Sequence, residues 1–95
     1  MPNRREIEAA IAAYNAADPD MLLPPDASRL LSVMFRRRSV YQRSEANLAA
    51  EAGDTVRTVR RLLRSLIEAG FLSKEPASGR DPSTYRLHLP PQAQP

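Results

Sequence analysis

Arg57, Arg60, Arg61 and Arg64 crowd one short stretch and form the densest set of chemically committed side chains in the sequence. A guanidinium stays charged and holds its N–H donors in a rigid planar fork. It therefore pairs with acceptors that come in twos: a carboxylate, a phosphate, or the O6/N7 edge of guanine. Projected on a helix at 100° per residue, Arg57, Arg61, Arg64 and Glu68 share one face. Val59, Leu62, Leu63 and Leu66 share the opposite face, and Arg60 falls on the flank. A helix face with arginines is more often solvated than functional. A solvated face, however, mixes signs in i,i+4 pairs. This one offers no acid before Glu68, so its cations repel one another unless an anion is present.

The charge surplus is local. Residues 1–35 carry a net −2, residues 36–64 a net +5 and residues 65–95 a net 0, within a chain total of +3. A basic cluster of this kind is the electrostatic footprint of a polyanion. Other chemistry is thinly represented. His88 is the only histidine and there is no cysteine, so no metal site of ordinary ligand count is expected. No nucleophile–base pair, paired carboxylates or phosphate-cradling glycine loop stands out, and a core this small leaves little room for a substrate pocket. The expectation is a protein that is not an enzyme and takes no cofactor. The start, Met1-Pro2-Asn3-Arg4-Arg5, runs into charge rather than an apolar segment, so no signal peptide is expected. With no apolar run long enough for a membrane span, the expected location is the cytoplasm.

The 95 residues are enough for one domain. Residues 3–17 read as a helix with Asn3 as its cap and Glu6 completing a capping-box-like pair; Ile7, Ile11 and Tyr14 form a narrow apolar stripe along it. Asp18-Pro19-Asp20 stops it. After Pro24-Pro25, Asp26 is expected to cap a second helix running to about residue 38. Its apolar set is Ala27, Leu30, Leu31, Met34 and Phe35, and Arg36-Arg37-Arg38 would close it by complementing the helix dipole. Val40-Tyr41 could be a very short strand. Ser44 caps a third helix, 45–52, which Gly53 ends. Thr55 caps a fourth, 56–69, which Gly70 ends. Residues 71–74 and 84–89 read as two strands around a turn-rich loop, with Tyr85, Leu87 and Leu89 on one face and Thr84, Arg86 and His88 on the other. Residues 90–95 read as a disordered tail. The fold class is therefore mainly α with a small β-hairpin (α+β). Its expected organisation is an N-terminal helix and linker, 1–23, then a main domain, 24–89.

Two helices joined by a tight turn around Gly53 have the geometry of a helix-turn-helix. The run Leu48-Ala49, Gly53, Thr55, Thr58-Val59, Arg61, Leu63, Leu66 and Gly70-Phe71-Leu72 resembles the signature of the bacterial winged helix-turn-helix DNA-binding family. That family includes small transcriptional regulators and the winged domains of phage and plasmid replication initiators. Gly79-Arg80 and Thr84-Tyr85-Arg86-Leu87 resemble its wing tip and closing strand, so the likeness covers residues 44–89. Asp54 departs from it, standing where the family usually buries Val or Ile; it hints at a reshaped turn or at shared capping with Thr55. Arg43 stands where proline is common, and residues 3–17 lie outside the likeness.

The resemblance implies a winged helix-turn-helix preceded by an extra helix, and a protein that binds double-stranded DNA near the nucleoid. By position, Thr55, Arg57, Thr58, Arg61 and Arg64 would enter the major groove. Arg43 and Ser44 would meet phosphate at the start of the third helix. Lys74, Arg80 and Arg86 would lie along the wing. Arg60 is balanced between phosphate and solvent. Three roles stay open: a sequence-specific transcriptional regulator, such as a repressor; an origin-binding or recombination accessory of a phage or plasmid; or a winged module that binds protein and no DNA, through the N-terminal helix or the wing. A homodimer is expected because one helix reads few base pairs. Ile7, Ile11 and Tyr14 are the candidate interface, unless they pack within their own chain.

Overall fold

The chain starts its first helix where the sequence puts the cap. Asn3 Oδ1 accepts the Glu6 N–H at 2.9 Å, and α1 (Arg4–Ala17) follows. The computed structural model describes residues 3–17, 22–36, 40–76, 79 and 82–88. The remaining elements are α2 (Pro25–Met34), β1 (Val40–Tyr41), α3 (Glu45–Ala52), α4 (Val56–Glu68), β2 (Leu72–Glu75) and β3 (Thr84–Leu87). Among the described residues the fold is α+β: four helices and one three-stranded antiparallel sheet.

Helix α2 differs from expectation at both ends. Pro24 is its cap residue, with no side-chain cap bond, and Pro25 opens it. A proline lacks only an N–H that the first turn leaves unbonded anyway, and its fixed φ suits a helix start. Asp26 lies inside that first turn and favours the dipole rather than capping. The helix stops at Met34, short of residue 38, because Phe35 leaves helical geometry at φ −118° and ψ 30°. Arg36 therefore lies past the helix end, and Arg37 and Arg38 fall outside the described residues.

Helices α3 and α4 end alike. Asp54 N–H bonds Ala49 O at 3.0 Å and Gly53 N–H bonds Ala50 O at 3.3 Å. Phe71 N–H bonds Leu66 O at 2.9 Å and Gly70 N–H bonds Ile67 O at 3.1 Å. These paired bonds define the Schellman ending, in which the glycine takes a left-handed conformation; φ is +68° at Gly53 and +88° at Gly70. The second ending also buries Phe71 and Leu66, both with no exposure, so the chain leaves α4 already committed to the core.

The sheet order is β1-β3-β2, so the closing strand is central. Alternation along the sequence predicts the hairpin but not the pairing of β1 onto it: Val40 pairs Arg86 and Tyr41 pairs Tyr85. Strand β2 is shifted one residue later than expected, and β3 ends at Leu87. Leu89 and the tail 90–95 lie outside the described residues.

Among the described residues one core unites α1 with the elements that follow it. Ile7, Ala10, Ile11 and Tyr14 of α1 are buried in the same cluster as Leu30, Leu48, Leu66 and Phe71. The Tyr14 ring meets Phe71 edge-on, with centroids 5.7 Å apart. Asn15 completes the attachment with its side-chain amide. Its Oδ1 accepts Leu23 N–H at 2.8 Å and its Nδ2 donates to Leu23 O at 3.3 Å. The stripe Ile7, Ile11 and Tyr14 is thus spent on its own chain and is not an open face for a second copy. Its three residues expose 1%, 6% and 9%.

Candidate nucleic-acid interface

The buried face of α4 is Val59, Leu62, Leu63 and Leu66, which leaves Arg57, Arg61 and Arg64 pointing outward and exposed. Their side chains have no ion pair or hydrogen bond among the described residues. Three other arginines are engaged. Arg60 Nε donates to Glu45 Oε1 at 3.1 Å, which ties α4 to the first turn of α3. Arg43 Nη1 donates to Glu51 Oε1 at 2.8 Å, and the Tyr41 hydroxyl donates to Glu51 Oε2 at 3.3 Å. Arg86 Nε donates to Glu75 Oε1 at 2.8 Å. Positions 45 and 60 meet only in the fold, which is why a helix wheel could not find this pair.

Thr55, Thr58 and Ser44 have local work. Thr55 Oγ1 accepts Thr58 N–H at 3.1 Å and donates to Thr58 Oγ1 at 3.0 Å, so the Thr58 hydroxyl keeps its own proton to donate. Ser44 Oγ accepts Asn47 N–H at 3.1 Å. Asp54 does share the capping: its Oδ1 accepts Thr55 N–H at 2.8 Å. A carboxylate there favours the positive end of α4, in place of a buried apolar contact.

The strand residues do not form one line. In the register of β2 and β3, Lys74 pairs Tyr85 and Ser73 pairs Arg86. Directly paired residues share a face and neighbours alternate. Lys74 therefore lies on the core side of the sheet, beside Tyr85, whose ring centroid is 6.0 Å from Lys74 Nζ. Arg86 leaves the other side with Ser73. Lys74, Arg60 and Arg64 line one groove of about 510 Å³ between α4 and the sheet, with Glu45 and Glu68 among the other lining residues. Arg86 is not brought to it. Arg80 lies outside the described residues. Burial pushes the Tyr85 phenol pKa above its usual value, with a smaller push from the Glu45 charge.

Two further residues hold the arrangement. Arg29 of α2 donates through Nη2 to the Ala52 carbonyl, capping the C-terminal end of α3 and fixing it against α2. A cation complements the helix dipole there. His88 is exposed; its Nε2 meets Ser73 Oγ at 2.8 Å. Among the described residues no group of three or more His, Cys, Asp or Glu could hold a metal, and no helix is long and apolar enough to cross a membrane.

Comparison with protein-family models, with curated proteins and with solved structures returned no significant match.

Proposed function

We propose that this chain is a winged helix-turn-helix protein that binds double-stranded DNA and acts as a transcriptional regulator, with α4 as its major-groove helix. One observation carries the reading. Three arginines on one face of α4 lack any carboxylate partner among the described residues, while Arg43, Arg60 and Arg86 each have one. A face of bare guanidinia is favourable only beside an anion. The helix is followed by a sheet that offers Lys74 on the same groove as Arg64, and the tight Gly53 turn supports the helix-turn-helix assignment. From Arg57 to Arg64 the stripe runs about 10 Å along the axis, at about 1.5 Å per residue. That matches about three steps of duplex at about 3.4 Å per step.

In this reading Arg57, Arg61 and Arg64 face base edges or phosphates and the Thr58 hydroxyl can add one bond. Ser44 meets the backbone at the start of α3. Binding needs no cofactor and involves no catalysis. Selection of bound duplexes from a random pool at near-physiological salt tests the proposal. The expected result is an enriched motif of a few base pairs per copy, with salt-sensitive affinity. Absence of salt-dependent binding to any duplex would overturn it.

A further inference from the structure

We propose that Glu45 is a built-in counter-ion that takes Arg60 out of nucleic-acid contact and so confines the arginines that α4 offers to Arg57, Arg61 and Arg64. This rests on the DNA-binding reading above. Glu45 opens α3, where the partial positive charge of the helix N-terminus holds a carboxylate. Its side chain is 34% exposed, against 66% for Arg60. The acid is therefore the more enclosed partner and the arginine the more exposed one. Glu45 also borders the groove that Arg64 and Lys74 line, so its charge stands where a phosphate approaching that groove would come.

Exposed ion pairs are weak, and Arg60 is free to swing away. Swinging does not help it. If Arg60 turns to a phosphate, Glu45 is left without its partner beside a polyanion, so breaking the ion pair offsets the new phosphate bond. Arg60 then adds little net affinity although it lies on the flank of the bare stripe. The pair Arg86–Glu75 has no such consequence, because Arg86 lies on the other side of the sheet from Lys74.

Salt dependence reads the number of phosphate contacts. With a slope of about −0.9 per contact, each phosphate contact added multiplies the loss in affinity between about 50 and 200 mM salt by about 3.5. The experiment titrates the full chain and its variants onto a fixed duplex across that range, with thermal melts to check folding. Glu45→Gln is expected to bind more tightly and to steepen that loss by about 3.5-fold, the equivalent of one further contact. Arg60→Gln alone is expected to leave the slope near that of the unaltered chain. Combining the two substitutions should abolish the gain, and Glu75→Gln should change nothing. A slope for Glu45→Gln equal to that of the unaltered chain would overturn the proposal. So would an Arg60→Gln variant whose slope falls by a full contact, and this variant decides the matter even if Glu45→Gln unfolds. If the unaltered chain binds no duplex, the DNA reading fails and this inference with it. Binding with unchanged slopes removes this inference alone.

Discussion

Replacing Gly53 by alanine isolates the conformational cost of the turn between α3 and α4. Gly53 sits at φ +68°, and a Cβ built there meets nothing within 4 Å. No clash with a more distant residue enters. What remains is the left-handed backbone, which costs an L-residue about 1–2 kcal/mol. Against this, alanine lowers the entropy of the unfolded chain, which offsets about 0.4–1 kcal/mol. The expected net loss is about 1 kcal/mol, or about 4–8 °C in Tm for a domain of this size. Thermal unfolding followed by circular dichroism measures it, with Gly53→Asn as a companion. Asparagine tolerates the left-handed region better than alanine, so its melt should fall between the other two. At a temperature well below all three melts, DNA affinity should be unchanged, since a side chain at the turn meets nothing. An alanine variant that melts with the unaltered chain would show that the turn is not left-handed in solution. A loss beyond about 3 kcal/mol would exceed the backbone cost; the added methyl would then meet something, and the reasoning from open space would fail.

Arg57→Ala should cost about 1–3 kcal/mol of duplex binding and relax base preference; equal losses on selected and random duplex would assign Arg57 to phosphate alone. Ile7→Ala opens a cavity in the shared core and should cost about 2–5 kcal/mol of stability by chemical denaturation, with no change in oligomeric mass by light scattering; a change in mass with an unaltered melt would return the α1 stripe to an interface role. Tyr85 holds its proton more tightly when folded, since burial raises its pKa. Its contribution is complete below the ordinary tyrosine range near about 10 and is lost as pH climbs through the folded value, so Tyr85→Phe should flatten the alkaline fall in stability. An identical alkaline profile for the variant would remove Tyr85 as a cause.

Much of the arrangement can be read from the sequence because its determinants are local. Asn3, Ser44 and Thr55 cap through bonds to backbone three residues on. Gly53 and Gly70 stop helices by their own φ, and the leucines of α4 repeat at the helical period. What the sequence hides is of two kinds. The start of α2 is a competition between Asp26 as a cap and Pro25 as a first residue, and the proline's fixed φ prevails. The partnerships Glu45–Arg60, Glu51–Arg43 and Arg29–Ala52 join positions eight to twenty-three apart, and no periodicity announces such pairs. For the same reason the apolar stripe of α1 looks available in the sequence. A stripe on an isolated helix carries no sign of whether its cover is the same chain or another.

The small size of the bare stripe bears on how the protein would act. Three unpaired arginines spanning about three base steps give one copy few counter-ions to release, so a single copy is expected in the weak range of about 10⁻⁴–10⁻⁶ M that non-specific binders occupy at physiological salt. Arg60 and Arg43 do not enlarge the footprint while their glutamates hold them, and Arg86 lies on the far side of the sheet. Tight and selective binding then needs a second copy on an adjacent half-site, which doubles the contacts without changing either face. The interface for that copy cannot be Ile7, Ile11 and Tyr14, because the core already covers them. A duplex carrying two copies of the selected motif should therefore bind with a steep concentration dependence, and a duplex carrying one should bind weakly and without it. Equal, tight, non-cooperative binding to both would mean that one copy commands more contacts than its bare arginines supply.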